Sequence, residues 1–232
     1  MQTAEAPDRD TSLVWKTARI PVQHWGLGIE SLTRLQPHVR KAVEDFVATW
    51  RERHIPADAT MADIPEDRCH IGKGLLLFGN AGTGKTTTAC AVLATIRQRH
   101  PGGAGRILFV PFADYVQALI EHRNWRDLYQ ATGDEFAREK FMALQKLLDK
   151  VLTWPLVVLD DMGKEHHTAS GYAADVFDAL IRGRYRNALP TILTSNNKPG
   201  DWDKVYNPSM QSFLSEACEV VPMTGEDLRR AA

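Results

Sequence analysis

The run Gly79-Asn80-Ala81-Gly82-Thr83-Gly84-Lys85-Thr86 has the spacing G-x-x-x-x-G-K-[ST]. Residues of these types in this order can hold phosphate. Glycines let successive backbone N–H groups curl around an anion, and the helix that follows points its positive end at the same place. Lys85 then reaches the β- and γ-phosphates of ATP, and the Thr86 hydroxyl joins the shell of Mg²⁺, with Thr87 beside it at the helix start. The context fits, because the apolar run Leu75-Leu76-Leu77-Phe78 precedes the loop and residues 85–99 read as a helix.

A second element complements the loop. Leu156-Val157-Val158-Leu159 ends in Asp160-Asp161. Two carboxylates at the end of a buried strand are costly unless they meet cations or water. The carboxyl ends of parallel strands are also where ligands bind. Asp160 is therefore expected in the Mg²⁺ shell, and Asp161 is expected to orient and polarise the attacking water. A third run, Thr191-Ile192-Leu193-Thr194-Ser195, ends in Asn196. That neutral amide could hydrogen-bond the γ-phosphate or the water. A simple strand-end turn made by Asn196-Asn197 is the alternative.

The elements that must position these residues alternate along the chain. Strands are expected at residues 75–78, 107–110, 156–159, 191–194 and at Val220-Val221, with helices over 85–99, 112–122, 134–152 and 170–187. Fully apolar strands separated by helices imply an α/β fold, a parallel sheet with helices on both faces. Ahead of it, Val39, Val43, Phe46, Val47 and Trp50 recur at helical spacing, so residues 37–54 read as an amphipathic helix whose apolar face packs on the main domain. Residues 1–30 show no sustained period and read as flexible or irregular. Three units follow: 1–30 irregular, 31–70 short and helical, and 71–232 the sheet domain.

Composition narrows the function. Hydrophobic residues make up 44% of the chain, enough for a real core, and 28 Lys and Arg face 29 Asp and Glu, so no global basicity announces nucleic acid. The three cysteines are far apart and lack zinc spacing, which argues against a disulfide framework or a structural zinc. The polar N-terminus is not a signal peptide. No apolar stretch reaches the roughly 18 residues of a membrane span, so a cytoplasmic protein is expected.

The words GLLLFGNAGTGKTT (74–87), LVVLDDMGKE (156–165), Arg184-Tyr185 before PTILTSN (190–196) and Gly225-Glu226-Asp227-Leu228-Arg229 together resemble AAA+ ATPases, and within them the DnaC/DnaI-type helicase loaders and the related IstB transposition helpers. The resemblance covers roughly residues 70–230. It implies an AAA+ (ASCE) P-loop NTPase fold with an extra helix between the second and third strands and, since little chain follows Val221, no C-terminal lid domain. Asn196 becomes the sensor-1 residue, and Arg229 lies where the family has an arginine that meets ATP. The implied activity is ATP-dependent loading of a replicative helicase onto single-stranded DNA, with self-assembly into an oligomer. An IstB-like helper that engages a transposase, or an adaptor switched by ATP with little hydrolysis, are the alternatives.

The chain departs from this pattern at one place. Loader-type sequences read Ser-Arg-Leu shortly before the last strand, whereas here Phe213 stands in Ser212-Phe213-Leu214, and no Lys or Arg occurs between Lys204 and Arg229. Slow hydrolysis without a partner is expected, with Arg182 or Arg186 as candidate substitutes. Two basic features stay open. The six Lys and Arg from Arg68 to Ala113, with no Asp or Glu, suit phosphate or plain solvated surface. Arg182, Arg184 and Arg186 suit DNA, a neighbouring subunit or a helix C-terminus. His166-His167 lack a third ligand nearby and are not expected to bind metal.

Overall fold

A computed structural model of the chain describes residues 9–163, 171–202, 206, 208–225 and 227. Its centre is a parallel sheet of β1 (Gly74–Phe78), β2 (Ile107–Pro111), β3 (Leu156–Met162), β4 (Thr191–Ser195) and β5 (Cys218–Pro222), in the order β2-β3-β4-β1-β5. Register is continuous across β1, with Leu76 opposite Leu193 on one side and Val220 on the other.

Side chains of a strand alternate between faces, and the core divides accordingly. Leu75, Leu77, Ile107, Phe109, Leu156, Val158 and Ile192 join one buried cluster, shared with α4 (Lys85–Arg99) and α2 (Pro37–Ala48). Leu76, Leu108, Val110, Val157, Leu159 and Leu193 join the other, under α5 (Phe112–Thr132), α6 (Glu135–Thr153), α7 (Tyr172–Arg186) and α8 (Pro208–Ala217). The expected α/β architecture is present, covered on both faces.

Several expected bounds shift. The helix expected over 112–122 runs on to Thr132, where Gly133 at φ 69° takes the left-handed cap conformation that ends helices. With α6 it forms a hairpin that accounts for the extra helix between β2 and β3. The helix expected over 37–54 breaks at Thr49 into α2 and a single turn, α3 (Trp50–Arg53). Helix α8 has no counterpart in the sequence reading.

The largest difference lies at the N-terminus. Residues 9–30, expected to be irregular, contain α1 (Arg9–Thr17) and 3-10 turns at Val22–His24 and Ile29–Ser31. Trp15, Ala18, Ile20 and Ile29 are buried in the same cluster as α4. These apolar residues are too sparse to form a period. They are ordered instead by tertiary contact: the Phe109 N–H donates to Ala18 O at 2.8 Å, capping the outer edge of β2, and the Ile29 N–H donates to Thr95 Oγ1 at 3.0 Å.

Two buried arginines lock the layers. Arg53, 2% exposed, donates to Thr49 Oγ1 (2.8 Å) and Lys73 O (3.1 Å) and lies 3.9 Å from Glu219, tying α3 to β1 and β5. Arg184, 1% exposed, donates to Thr191 Oγ1 at 2.8 Å and to the carbonyls of Val151, Trp154 and Pro190 at 2.6, 3.1 and 2.9 Å. Burial pushes its guanidinium down to about 9, so it stays charged at neutral pH.

Candidate nucleotide site

The loop after β1 has the backbone its sequence demands. Gly79, Gly82 and Gly84 have φ of 153°, 80° and 88°. At Gly79 a Cβ would lie 2.0 Å from Met223 O, so both conformation and space require glycine. Gly84 is the N-cap of α4, which leaves the first N–H groups of that helix free of a side-chain cap and open to an anion. Lys85, 6% exposed, turns back over the loop and donates to Gly79 O at 2.8 Å and Asn80 O at 2.7 Å. Its ammonium is thus held at the mouth of the cradle. Thr83 braces the turn by donating to Asn80 O at 3.0 Å.

The two aspartates owe their placement to a bulge. Pairing of β3 with β4 runs in register to Leu159 opposite Leu193 and resumes at Met162 opposite Ser195, with one extra residue on β3. Asp161 absorbs it at φ 59°, in the left-handed region that non-glycine residues seldom occupy. Thr194, fully buried, holds the bulge. Its hydroxyl accepts from the Asp161 N–H at 2.9 Å and donates to Asp160 Oδ1 at 2.6 Å. Thr86 Oγ1 donates to both Asp160 oxygens, at 3.0 and 3.2 Å. This hydroxyl–carboxylate pair offers hard oxygen donors of the kind that hold Mg²⁺ together with phosphate oxygens and water, so the residues fit that ion. Burial, and then the Asp160 charge, push the pKa of the Cys90 thiol up to about 12.

Lys85, Thr86, Thr87, Asp160, Asp161 and Asn196 line one cavity of about 560 Å³ with Ala81, Gly82 and Gly84. Its far wall is unforeseen: Pro21, Gln23 and His24 come from the N-terminal segment and Phe109 and Pro111 from β2. Burial lowers the His24 pKa, and its Nδ1 is buried without a hydrogen bond among the described residues. On the other side of the loop, Thr83 borders a second cavity of about 190 Å³ with Leu35, Gln36, Val39, Met223 and Thr224. Its mixed apolar and amide lining suits a flat heteroaromatic base. Gln36 Nε2 donates to Thr224 Oγ1 at 2.8 Å, joining the residues before β1 to those after β5. No motif in the sequence signals either wall.

Phe213 lies half-buried on α8. The Tyr185 ring meets it edge-on at 5.5 Å, and the Arg182 guanidinium sits 4.4 Å over its face. Arg182 also pairs with Asp178 at 2.9 Å and donates to Ser209 Oγ at 3.2 Å. The Arg182 guanidinium, carried by α7, therefore lies beside Phe213 but is already paired with Asp178. Arg184, one of the three arginines left open above, is a buried structural cross-link. Arg229, Lys164, Glu165 and His166-His167 lie outside the described residues.

Comparison with known proteins places this geometry. No curated protein matches the chain. Among solved structures, the DnaC helicase loader is 21% identical, with a TM-score of 0.61 over 88% of this chain and 100% of that one. DnaI is 18% identical, with a TM-score of 0.58 over 89% and 93%. Replication initiator DnaA, bound to AMPPCP and single-stranded DNA, is 15% identical, with a TM-score of 0.59 over 89% of this chain and 51% of that one. The fold is that of AAA+ P-loop ATPases. Residues 67–232 match the family described as IstB-like ATP binding protein, and the chain belongs to that family.

Proposed function

We propose that the chain is an ATP-dependent loader that delivers a replicative helicase to single-stranded DNA. The observation that carries the nucleotide half is the meeting of Lys85, Thr86, Asp160, Asp161 and Asn196 around one cavity. In this reading the loop N–H groups and Lys85 bind the phosphates of ATP. Thr86 and Asp160 hold Mg²⁺, which neutralises phosphate charge. Asp161, turned into the cavity by the bulge, orients the attacking water, and Asn196 hydrogen-bonds that water or the γ-phosphate. The base lies against Leu35, Gln36 and Thr224. Turnover is slow in the isolated chain, because Phe213 cannot neutralise transition-state charge.

The partner half is supported by the likeness to DnaC and DnaI, which covers 88% and 89% of this chain. A second reading, an IstB-like helper of a transposase, is favoured by the family match. Titration calorimetry tests the nucleotide half. ATP with Mg²⁺ is expected to bind the wild type and to lose nearly all affinity for Lys85→Ala, and equal affinity would overturn it. Co-purification against a replicative helicase and a transposase tests the partner half. Capture of the helicase supports loading, and capture of the transposase alone transfers the protein to the second reading.

A further inference from the structure

On the side of the sheet where β2 is the edge, α1 and α6 form the walls of a groove. It has a volume of about 580 Å³ and is lined by Lys16 and Arg19 from the N-terminal segment and by Lys146 and Lys150 from α6. One carboxylate, Glu139, shares it. Thr17 connects it to an adjoining pocket that carries Arg97, Arg106 and the Trp154 indole. Six cations thus face one carboxylate in a chain whose acids outnumber its bases, 29 to 28. Among the described residues Lys16, Arg19, Lys146 and Lys150 make no ion pair, and Lys150 rests on the Trp154 ring at 4.9 Å.

Helix dipoles explain part of this. Lys16 and Lys150 lie in the last turns of α1 and α6, where cations are favoured. They do not explain Arg19 or Lys146. Lys146 and Lys150, four apart on α6, share one helix face and lie across from Lys16 and Arg19. Unpaired like charges gathered on two walls repel one another, and a polyanion threaded between them would relieve that. The floor is apolar, with Leu108 and Leu147, and Trp154 adds an aromatic surface beside it. Cations along a groove with an aromatic at its flank are the elements that bind a single strand without reading its sequence.

We infer that this groove binds the phosphodiester backbone of single-stranded DNA. The inference deepens the loader reading by giving its DNA a place, separate from the nucleotide cavity, with which the groove shares no lining residue. The N-terminal segment then has a second role beyond closing the nucleotide cavity, since it supplies one wall.

The test is fluorescence anisotropy of the full chain, with ATP and Mg²⁺, on a labelled oligothymidylate over a range of salt. Four phosphate contacts give a slope of log affinity against log salt of about −2.8, at about −0.7 per contact for single strands. The doubly reversed Lys16→Glu/Lys146→Glu protein is expected to bind at least ~10-fold more weakly, with the slope reduced by about 1.4. Both side chains are exposed. The control, Lys41→Glu/Arg68→Glu, makes the same change of charge at exposed positions elsewhere and is expected to keep the wild-type slope. Equal affinities for the groove and control variants, with a wild type that binds, overturn the groove and leave the loader reading intact. A wild type that binds no oligonucleotide at low salt overturns both. Displacement of the strand by polyglutamate as readily as by unlabelled oligothymidylate overturns the nucleic-acid assignment.

Discussion

Thr194→Val keeps the shape of a fully buried residue and removes one hydroxyl. That hydroxyl donates to Asp160 Oδ1 at 2.6 Å and accepts the Asp161 N–H at 2.9 Å. A hydrogen bond to a charged group contributes about 1.5–3 kcal/mol, and a buried N–H left without a partner costs about 1–3 kcal/mol. Asp161 is only half-buried, so water can recover part of the second amount. The expected loss is about 3 kcal/mol. At about 2–4 °C per kcal/mol for a chain of this size, Tm should fall by about 6–12 °C. Thr194→Ser retains the oxygen, loses one methyl and should cost only about 1 kcal/mol. Urea unfolding of the three proteins, read by tryptophan fluorescence, measures both differences. The bulge argument also requires coupling: in a double-mutant cycle with Asp160→Asn, Thr194→Val should cost less than it does alone. A valine variant within about 0.5 kcal/mol of wild type, or a serine variant as unstable as the valine one, would refute the assignment of the bulge to this hydroxyl.

Asp161→Asn should bind ATP with near wild-type affinity in calorimetry and lose about 10²-fold or more in phosphate release, the range for a positioned base. Phe213→Arg should raise turnover towards the gain of about 10³–10⁵ that an arginine in trans provides; wild type already near ~1 per second, with no gain in the variant, would show that the position lacks nothing. Chelating Mg²⁺ should weaken ATP binding more in wild type than in Asp160→Asn, because the uncompensated Asp160 charge then repels the γ-phosphate by up to about 4 kcal/mol at contact. Burial lowers the pKa values of His24, His54 and His100, so the unfolded chain binds more protons just below pH ~6.5. Stability should therefore be level above that pH and decline as pH falls through and below it, and His54→Gln should make the decline shallower in Tm measured across pH.

How much of this was legible in the sequence divides along a physical line. The glycine loop, Lys85, Thr86 and the Asp160-Asp161 pair could be read because their chemistry depends on neighbours in the chain. The helix Lys85–Arg99 and the strands could be read because apolar side chains fill two faces of one sheet. The bulge could not, since a one-residue register shift between β3 and β4 depends on how two distant strands pair. Thr194 lies in the stretch PTILTSN, yet its partnership with Asp160 belongs to that pairing. The N-terminal segment was misread for the same reason. Trp15 lies on α1 while Ile20 and Ile29 lie beyond it, so these buried residues follow no single helical period.

These two failures of local reading meet at the nucleotide cavity. The motif supplies its phosphate end, whose charged groups are already restrained: Lys85 by loop carbonyls, Asp160 by two hydroxyls. Nucleotide would have to exchange these bonds rather than order the groups afresh, which limits the entropy lost on binding. The remaining walls come from Pro21, Gln23 and His24 on one side and Leu35, Gln36 and Thr224 on the other. Both sets lie outside the β1-to-Asn196 region that carries the phosphate chemistry. The first is tied to the sheet by the Phe109 N–H donating to Ala18 O, and the second by the Met223 N–H donating to Phe78 O and by His38 at Pro222 O, with Gln36 bonded to Thr224. A ligand that fills the cavity therefore presses on the same segment that supplies Lys16 and Arg19 to the basic groove. In the loader reading, that shared segment is the physical route from ATP occupancy to the groove proposed for DNA.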